Sequence, residues 1–457
     1  MGKLFGTDGV RGVVGRDMTP ELALRLGRAI GAYFGKGSRI LLGRDVRSGG
    51  DILARAVSAG LQSQGIRVYY AGLLPTPALQ YGVKEGYDGG VMVTASHNPP
   101  EYNGIKVIGP EGVEIPREDE AVIEEYYFKG VGGGEWRSMT LSQADASHVL
   151  DMYVDAVVSQ VDGETVREAR LSAVVDCGNS VGSLTTPLIL GRIGVRVYTI
   201  NCNLDPLFPG REPEPTPTNL NLASLAVRGV RADFGVGHDG DADRAIVIDD
   251  KGEAYWGDRV GAALTAFVKD NWPGLPPRTY TGVSSTTVIE NYLRSRGVEV
   301  VWTPVGSVVI SRMILRDGGA ISGFEENGGY MHVPHQVVRD GGMTAALVAY
   351  MIAYTGEPLS KIMDIMPRYH QIKTKIPASK SQANCAVEKV REHYSGLRQV
   401  NIDGVKVFGD GFWILVRPSG TEPVLRIMLE AKTRDMAKRL LEEVKNVVSP
   451  CLRGAPE

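Results

Sequence analysis

Three times along the chain, a short apolar, β-rich run leads into a small polar stretch, a helix-like segment, a glycine and a second β-rich run. The opening runs are Ile40-Leu41-Leu42, residues 171–175 and residues 279–283. The polar stretches carry Asp45 with Ser48, Asp176 with Ser180, and Ser284 with Ser285. The closing runs are IRVYY after Gly65, VRVYT after Gly194 and VEVVW after Gly297. Strand, helix, glycine, strand is the grammar of a βαβ unit. Its repetition predicts three similar α/β domains rather than one sheet. From about Met366 the pattern changes. Short strands are expected around 405–408, 413–416 and 425–429. A final helix follows, with Met436, Leu440, Leu441, Val444 and Val448 on one apolar face. This tail reads as a small α+β domain. The divisions expected are 1–150, 151–254, 255–366 and 367–457, with surface loops at the proline-rich stretches 205–217 and 273–277.

Composition narrows the class. With 457 residues, the chain is too long for one hydrophobic core. A hydrophobic fraction of 43% and a charged fraction of 23% are ordinary for a globular protein. The net charge of -3 argues against a nucleic-acid partner. No apolar run approaches membrane-spanning length, and the start lacks a signal peptide's apolar region. Cys177, Cys202, Cys385 and Cys451 are scattered and form no C-x-x-C pair. That spacing predicts no disulfide framework and no zinc knuckle, and hence a reducing, cytoplasmic setting.

Four segments, one in each expected domain, carry chemistry. Thr94-Ala95-Ser96-His97-Asn98-Pro99-Pro100 follows an apolar run, so Ser96 can be exposed at the carboxyl end of a sheet, where ligands bind in open α/β folds. It could equally be a plain serine or Asx turn. G-x-S-x-G is absent, which weakens a hydrolase reading. His238-Asp239-Gly240-Asp241-Ala242-Asp243-Arg244 places three carboxylates at alternate positions. These repel unless a cation sits among them, and hard oxygen donors suit Mg²⁺ or Ca²⁺. The dinucleotide fingerprint met by Gly235, Gly237 and Gly240 fails its context, because a strand rather than a helix follows. An EF-hand loop fails at Arg244 and Asp250, and a solvated acidic turn remains an alternative. Arg244 could pair with a carboxylate or a substrate phosphate. Glu325-Glu326-Asn327 between glycines could bind sugar hydroxyls or form a surface turn. Arg417-Pro418-Ser419-Gly420-Thr421-Glu422, with Arg426 beyond, makes a phosphate cradle or a hairpin with incidental arginines. A hydroxyl nucleophile, a hard-cation site, a sugar loop and a phosphate clamp are what phosphoryl transfer on a sugar phosphate requires.

Taken in order, FGTDGVRG (5–12), TASHNPPEYNGIKV (94–107), DGDADR (239–244), EENGG (325–329) and RPSGTEPVLRIMLE (417–430) closely resemble the α-D-phosphohexomutase family. That family includes phosphoglucomutases, phosphomannomutases and phosphoglucosamine mutases. The resemblance runs end to end and implies four domains lining one cleft. It implies a phosphoserine at Ser96, and one Mg²⁺ held by Asp239, Asp241, Asp243 and a phosphate oxygen on Ser96. Glu325 and Asn327 would contact sugar hydroxyls. Arg417, Ser419, Gly420 and Thr421, with Arg426 nearby, would bind the phosphate that is not reacting. Thr7, Arg11, His97 and Lys106 would flank the reacting group, with Lys106 the candidate general base.

The reaction implied interconverts hexose 6- and 1-phosphates through a hexose 1,6-bisphosphate, which also serves as activator. The expected protein is a monomer or homodimer whose partners are small sugar phosphates. Asn327 stands where many members have serine, Phe324 replaces a frequent glycine, and Val305-Gly306-Ser307 lacks a charged residue often found there. Glucose and mannose phosphates are the expected substrates, with glucosamine phosphate a rival or additional one. A phosphoglucosamine-specific mutase is the nearest alternative, although no segment identifies a group for the 2-amino position. A Mg²⁺-dependent sugar-phosphate phosphatase would use the same parts and admit water.

Overall fold

The computed structural model describes residues 4–6, 9–132, 143–420 and 422–452. The expected site residues Thr7 and Thr421 lie outside the described residues.

Among the described residues, four sheets follow one another along the chain. The first contains β1 (Val10–Val13), β2 (Arg39–Arg44), β3 (Arg67–Leu73), β4 (Gly89–Val93), β5 (Tyr102–Ile108) and β6 (Ala144–Asp145), in spatial order β1-β5-β4-β2-β3-β6. The second contains β7 (Ser172–Asp176), β8 (Arg196–Ile200), β9 (Phe234–His238), β10 (Ala245–Asp249) and β11 (Ala254–Tyr255), in order β11-β10-β9-β7-β8. The third contains β12 (Arg278–Gly282), β13 (Glu299–Thr303), β14 (Ser322–Phe324) and β15 (Tyr330–His332), in order β13-β12-β14-β15.

One arrangement recurs in all three: β3-β2-β4-β5, β8-β7-β9-β10 and β13-β12-β14-β15. The first three strands of each run parallel and the fourth turns back antiparallel. The paired runs read in the sequence are the parallel neighbours β2–β3, β7–β8 and β12–β13. A consequence bears on function. The segment joining the third parallel strand to its antiparallel neighbour is a topologically equivalent loop in each unit. It carries Ser96 in the first unit, Asp239 to Arg244 in the second and Glu325 to Gly329 in the third.

Burial explains why these strands read as continuous apolar runs. Every residue of β4, β9 and β10 is buried, as expected of strands covered on both faces. Helices Pro20–Phe34 and Gly50–Gln62 cover one face of the first sheet with Ala23, Leu26, Ile30, Leu53, Val57 and Leu61. Thr19 caps the first of them, its hydroxyl accepting from the Leu22 amide, and Pro20 occupies the first turn. The other face joins a core that runs on through the second and third units, from Leu41 through Val175 to Phe324.

The tail has a core of its own, built around Val405, Ile414, Ile427 and Leu440. Its sheet contains β16 (His370–Pro377), β17 (Arg398–Val400), β18 (Val405–Gly409), β19 (Phe412–Pro418) and β20 (Val424–Ala431), all antiparallel in order β16-β20-β19-β18-β17. Helices Lys380–His393 and Arg434–Leu452 cover it. Lys406 seals the joint to the third unit. It is buried, donates to the carbonyls of Val283 and Ser285, and lies 3.9 Å from the Trp302 ring centroid and 4.3 Å from that of Trp413. Among the described residues no helix is long and apolar enough to cross a membrane.

The cysteine expectation is corrected. Cys177 pairs with Cys202 and Cys385 with Cys451. Cys177 and Cys202 follow the adjacent parallel strands β7 and β8, which bring their Cα atoms within 4.8 Å. Cys385 and Cys451 sit on the two helices packed over the last sheet, with Cα atoms 5.8 Å apart. Linear spacing cannot register either approach.

One buried group predicts how stability depends on pH. His332 is buried against the edge of Trp272, and neither ring nitrogen has a hydrogen-bond partner. Burial pushes its pKa down to about 3. The folded state therefore refuses a proton that the unfolded chain takes up near pH 6.5, so stability falls as pH drops from about 6.5 toward 3. The slope from this residue is about 1.4 kcal/mol per pH unit. A His332→Phe variant is expected to show a thermal midpoint that drops less between pH 7 and 4.5. Parallel curves for the two proteins would refute the assignment.

Candidate functional site

Ser96 sits where β4 leaves the sheet, with φ at 52°. A left-handed serine costs about 1–3 kcal/mol and persists only where its surroundings hold it. Arg47 supplies that hold. Its guanidinium donates to the carbonyls of Ser96 (2.6 Å), Asn98 (2.6 Å), Pro99 (2.8 Å) and Tyr102 (3.0 Å). Asp45 anchors Arg47 at 3.2 Å and accepts from Thr94 at 2.5 Å. Burial pushes Asp45 up to about 6, against the pull of Arg47 and Thr94. Arg11, on β1, donates to the Ala95 carbonyl at 3.1 Å and to Asn98 Oδ1 at 2.5 Å.

Ser96 is buried, not exposed as the sequence suggested. The loop of the second unit lies against it, and a glycine makes the approach possible. A Cβ on Gly240 would stand 2.4 Å from the Ser96 carbonyl oxygen. Ser96 Oγ donates to Asp239 Oδ2 at 2.8 Å. Asp241 Oδ2 accepts from Thr76 at 2.6 Å and from Lys106 at 2.9 Å. Lys106 is also 3.6 Å from Asp243, and Asp243 Oδ2 accepts from Arg339 at 2.6 Å. Arg244 pairs with Glu214 at 2.8 Å and lies 3.9 Å from Asp239 and 3.8 Å from Asp243. His97 has Nδ1 3.4 Å from Ser96 Oγ and Nε2 3.5 Å from Glu214.

Burial pushes both Asp239 and Asp241 toward their neutral forms. At Asp239 the neighbouring Asp243 and Asp241 add to that push, and its carboxyl is held well above the usual range. At Asp241 the Lys106 ammonium and Thr76 hydroxyl outweigh burial and hold it below. Burial opposes the charge on Lys106, but Asp241, Asp243 and Glu114 raise its pKa above the ordinary lysine value.

The three aspartates fit a hard divalent cation. One carboxylate oxygen from each lies within 4.8 Å of the others. Asp241 Oδ1 and Asp243 Oδ1 are buried with no hydrogen-bond partner. A carboxylate oxygen deprived of both water and donors is costly unless a cation takes it. An all-oxygen donor set suits Mg²⁺.

The sugar loop is tied to the second unit, the Ala245 amide donating to the Gly328 carbonyl at 3.0 Å. The Glu325 amide donates to the Gly329 carbonyl at 2.8 Å, and its buried carboxylate accepts from Arg339 at 3.3 Å. Asn327 Oδ1 accepts from the Gly329 amide at 3.1 Å. Glu326 turns to Lys373 of β16 at 3.1 Å, and burial pushes it up to about 7. Arg417 and Ser419 flank the tip of the β19–β20 hairpin, where Gly420 is exposed. Arg417 pairs with Asp403 at 3.0 Å, Arg426 pairs with Glu422 at 2.9 Å, and Ser419 Oγ accepts from the Glu422 amide at 3.3 Å. These ion pairs stay within the C-terminal unit.

Sequence reading missed Asp45, Arg47, Thr76, Glu214 and Arg339. The stretch 205–217 is not merely a surface loop. Phe208 is buried 5.0 Å from the Arg47 guanidinium, Arg211 binds Asp176 at 3.0 Å, and Glu214 reaches Arg244. Its prolines signalled irregular backbone but not the site beneath.

Comparison with known proteins agrees with this architecture. The models of phosphoglucomutase/phosphomannomutase alpha/beta/alpha domains I, II and III match residues 2–131, 151–252 and 256–369, and that of the C-terminal domain matches 375–447. The chain belongs to the phosphoglucomutase/phosphomannomutase family and is a phosphohexomutase, an intramolecular phosphotransferase. It is 47% identical over 453 residues to the phosphoglucosamine/phosphogalactosamine mutase of Sulfurisphaera tokodaii, covering 98% of this chain and 99% of that one. It is 38% identical over 463 residues to the phosphoglucomutase/phosphomannomutase of Thermococcus kodakarensis, covering 99% and 100%. A crystal structure of a phosphoglucomutase/phosphomannomutase family protein from Burkholderia thailandensis superposes with a TM-score of 0.86 at 25% identity, covering 99% of this chain and 98% of that one.

Proposed function

We propose that the enzyme interconverts the 6- and 1-phosphates of glucosamine through a phosphoserine at Ser96 and a bound glucosamine 1,6-bisphosphate. The observation that carries the phosphoserine is the Ser96 hydroxyl, buried 2.8 Å from Asp239 where the first and second loops touch. Glucosamine replaces glucose and mannose as the favoured sugar because the Sulfurisphaera relative is an amino-sugar mutase matched over nearly its whole length.

In this reading the phosphoryl group on Ser96 passes to the free hydroxyl of the substrate. His97, with Nδ1 3.4 Å from Ser96 Oγ, is the candidate to take that hydroxyl's proton. Lys106, the base the resemblance implied, is held as an ammonium by Asp241 and Asp243 and would offset charge instead. The bisphosphate then turns over, and its other phosphoryl group returns to Ser96. A hexose 1,6-bisphosphate would charge an unphosphorylated enzyme by the same step. Asp239, Asp241, Asp243 and a phosphoryl oxygen would hold one Mg²⁺, which when bound offsets charge on the transferring oxygens. Arg11 would face the reacting phosphoryl group, while Glu325 and Asn327 would contact sugar hydroxyls. Arg417, Ser419, Gly420 and Arg426 would hold the other phosphate, which requires Asp403 and Glu422 to yield their arginines. Burial of Ser96 keeps water from a phosphoserine and so favours transfer to sugar over hydrolysis.

The test is ³¹P NMR of the phosphorylated enzyme with Mg²⁺ and, separately, glucosamine, glucose and mannose 1-phosphates. The glucosamine ester is expected to convert fastest, without inorganic phosphate. Faster turnover of glucose or mannose 1-phosphate would overturn the sugar assignment. Steady phosphate release would make the enzyme a phosphatase.

A further inference from the structure

Arg339 joins two loops that the sequence treats as separate. Its side chain is buried and donates from Nη2 to Asp243 Oδ2 at 2.6 Å and from Nη1 to Glu325 Oε2 at 3.3 Å. One guanidinium therefore bridges the acidic loop of the second unit and the sugar loop of the third. Its backbone is fixed from behind. The next residue, Asp340, caps helix Gly341–Thr355 by accepting from the Met343 amide, and accepts from the Tyr153 hydroxyl as well. Its stem is fixed from the side, because a Cβ on Gly329 would stand 2.3 Å from Arg339 Cδ. Glycine at 329 leaves the channel through which the arginine passes.

Asp243 divides its two oxygens. Oδ2 takes Arg339, while Oδ1 is buried with no hydrogen-bond partner. The arginine thereby fixes Oδ2 and leaves Oδ1 without a donor. A planar fork suits this task better than a lysine, because it meets two carboxylates in a fixed geometry.

We propose that Arg339 is a positioning residue that couples divalent-cation binding at the aspartates to sugar binding at Glu325. A cation that orders Asp243 draws Arg339 into register, and Arg339 in turn presents Glu325. By reciprocity, sugar phosphate tightens the cation by the same factor. This inference rests on the proposed mutase reading only in taking Glu325 as a sugar contact.

The experiment is calorimetric titration of the full-length enzyme with Mg²⁺, alone and with saturating glucosamine 6-phosphate or glucose 6-phosphate, needing no turnover. In the wild type, sugar phosphate is expected to tighten Mg²⁺ on the order of tenfold. In Arg339→Met that factor is expected to approach one, and in Arg339→Lys to recover in part. Arg339→Ala, which removes fork and stem and leaves the residues of the sugar loop unchanged, is expected to behave like Arg339→Met and serves if the latter does not fold. An unchanged factor in a folded Met or Ala variant, or no coupling in the wild type, would overturn the proposal. Coupling with the glucose ester alone would leave it standing and refute only the amino-sugar assignment.

Discussion

Replacing Ser96 with alanine is expected to remove turnover by about 10⁴-fold or more, as deletion of a nucleophile does elsewhere. The loop should survive. Its left-handed turn is held by backbone carbonyls, four of them on Arg47 and one on Arg11, none of which involves the Ser96 hydroxyl. The loss on the stability side is one buried hydrogen bond to Asp239, about 0.5–1.5 kcal/mol. The decisive comparison is incubation of both proteins with hexose 1,6-bisphosphate, followed by intact mass and activity. The wild type should gain one phosphoryl group and the variant none, while the variant still melts cooperatively a few degrees lower. A variant that still interconverts the sugar phosphates, or takes up phosphate elsewhere, would remove Ser96 from the mechanism.

Part of that site was legible in the sequence and part was not. Residues 94–100, 239–244 and 325–329 are local motifs, each short enough to be read as one turn after a strand. Their equivalence was half visible. The runs that became β2–β3, β7–β8 and β12–β13 repeat in the sequence, whereas the third parallel strand of each unit carries no comparable signature. In the third unit it is only three residues long. Contacts that cross the chain left no periodic trace. Thr76 reaches Asp241 across 165 residues and Arg339 reaches Asp243 across 96. Period and propensity describe the faces of an element, not what a loop meets once sheets pack. Glu214 lay within a proline-rich run whose composition spoke only of turns, and the cysteines met through strand adjacency and helix packing. A buried arginine in a chain of ordinary charge is a signal only once its burial is known.

Removing the divalent cation is expected to produce the second large loss, and here the geometry makes two readouts move together. Three buried carboxylates share a space where Lys106, Arg244 and Arg339 supply positive charge. Arg244 and Arg339 also serve Glu214 and Glu325, so neither compensates the aspartates alone. Two oxygens remain without donors. Chelation should therefore cut turnover by several kcal/mol of transition-state stabilisation, about 10³-fold, with recovery on adding Mg²⁺. Mg²⁺ at a hundred times its dissociation constant should stabilise the folded state by about 2.7 kcal/mol, seen as a rise in melting midpoint. Asp241→Asn separates cation binding from simple packing. It keeps the shape and the Thr76 contact but leaves Lys106 without its nearest countercharge, at a cost of about 3–5 kcal/mol. The variant should melt earlier and no longer respond to Mg²⁺. If it melts earlier yet keeps the full Mg²⁺ shift, Asp241 is a partner of Lys106 and not a cation ligand. If the wild type turns over fully in chelator, the aspartates are a structural knot held by Lys106 and the arginines, and transfer at Ser96 runs without a metal.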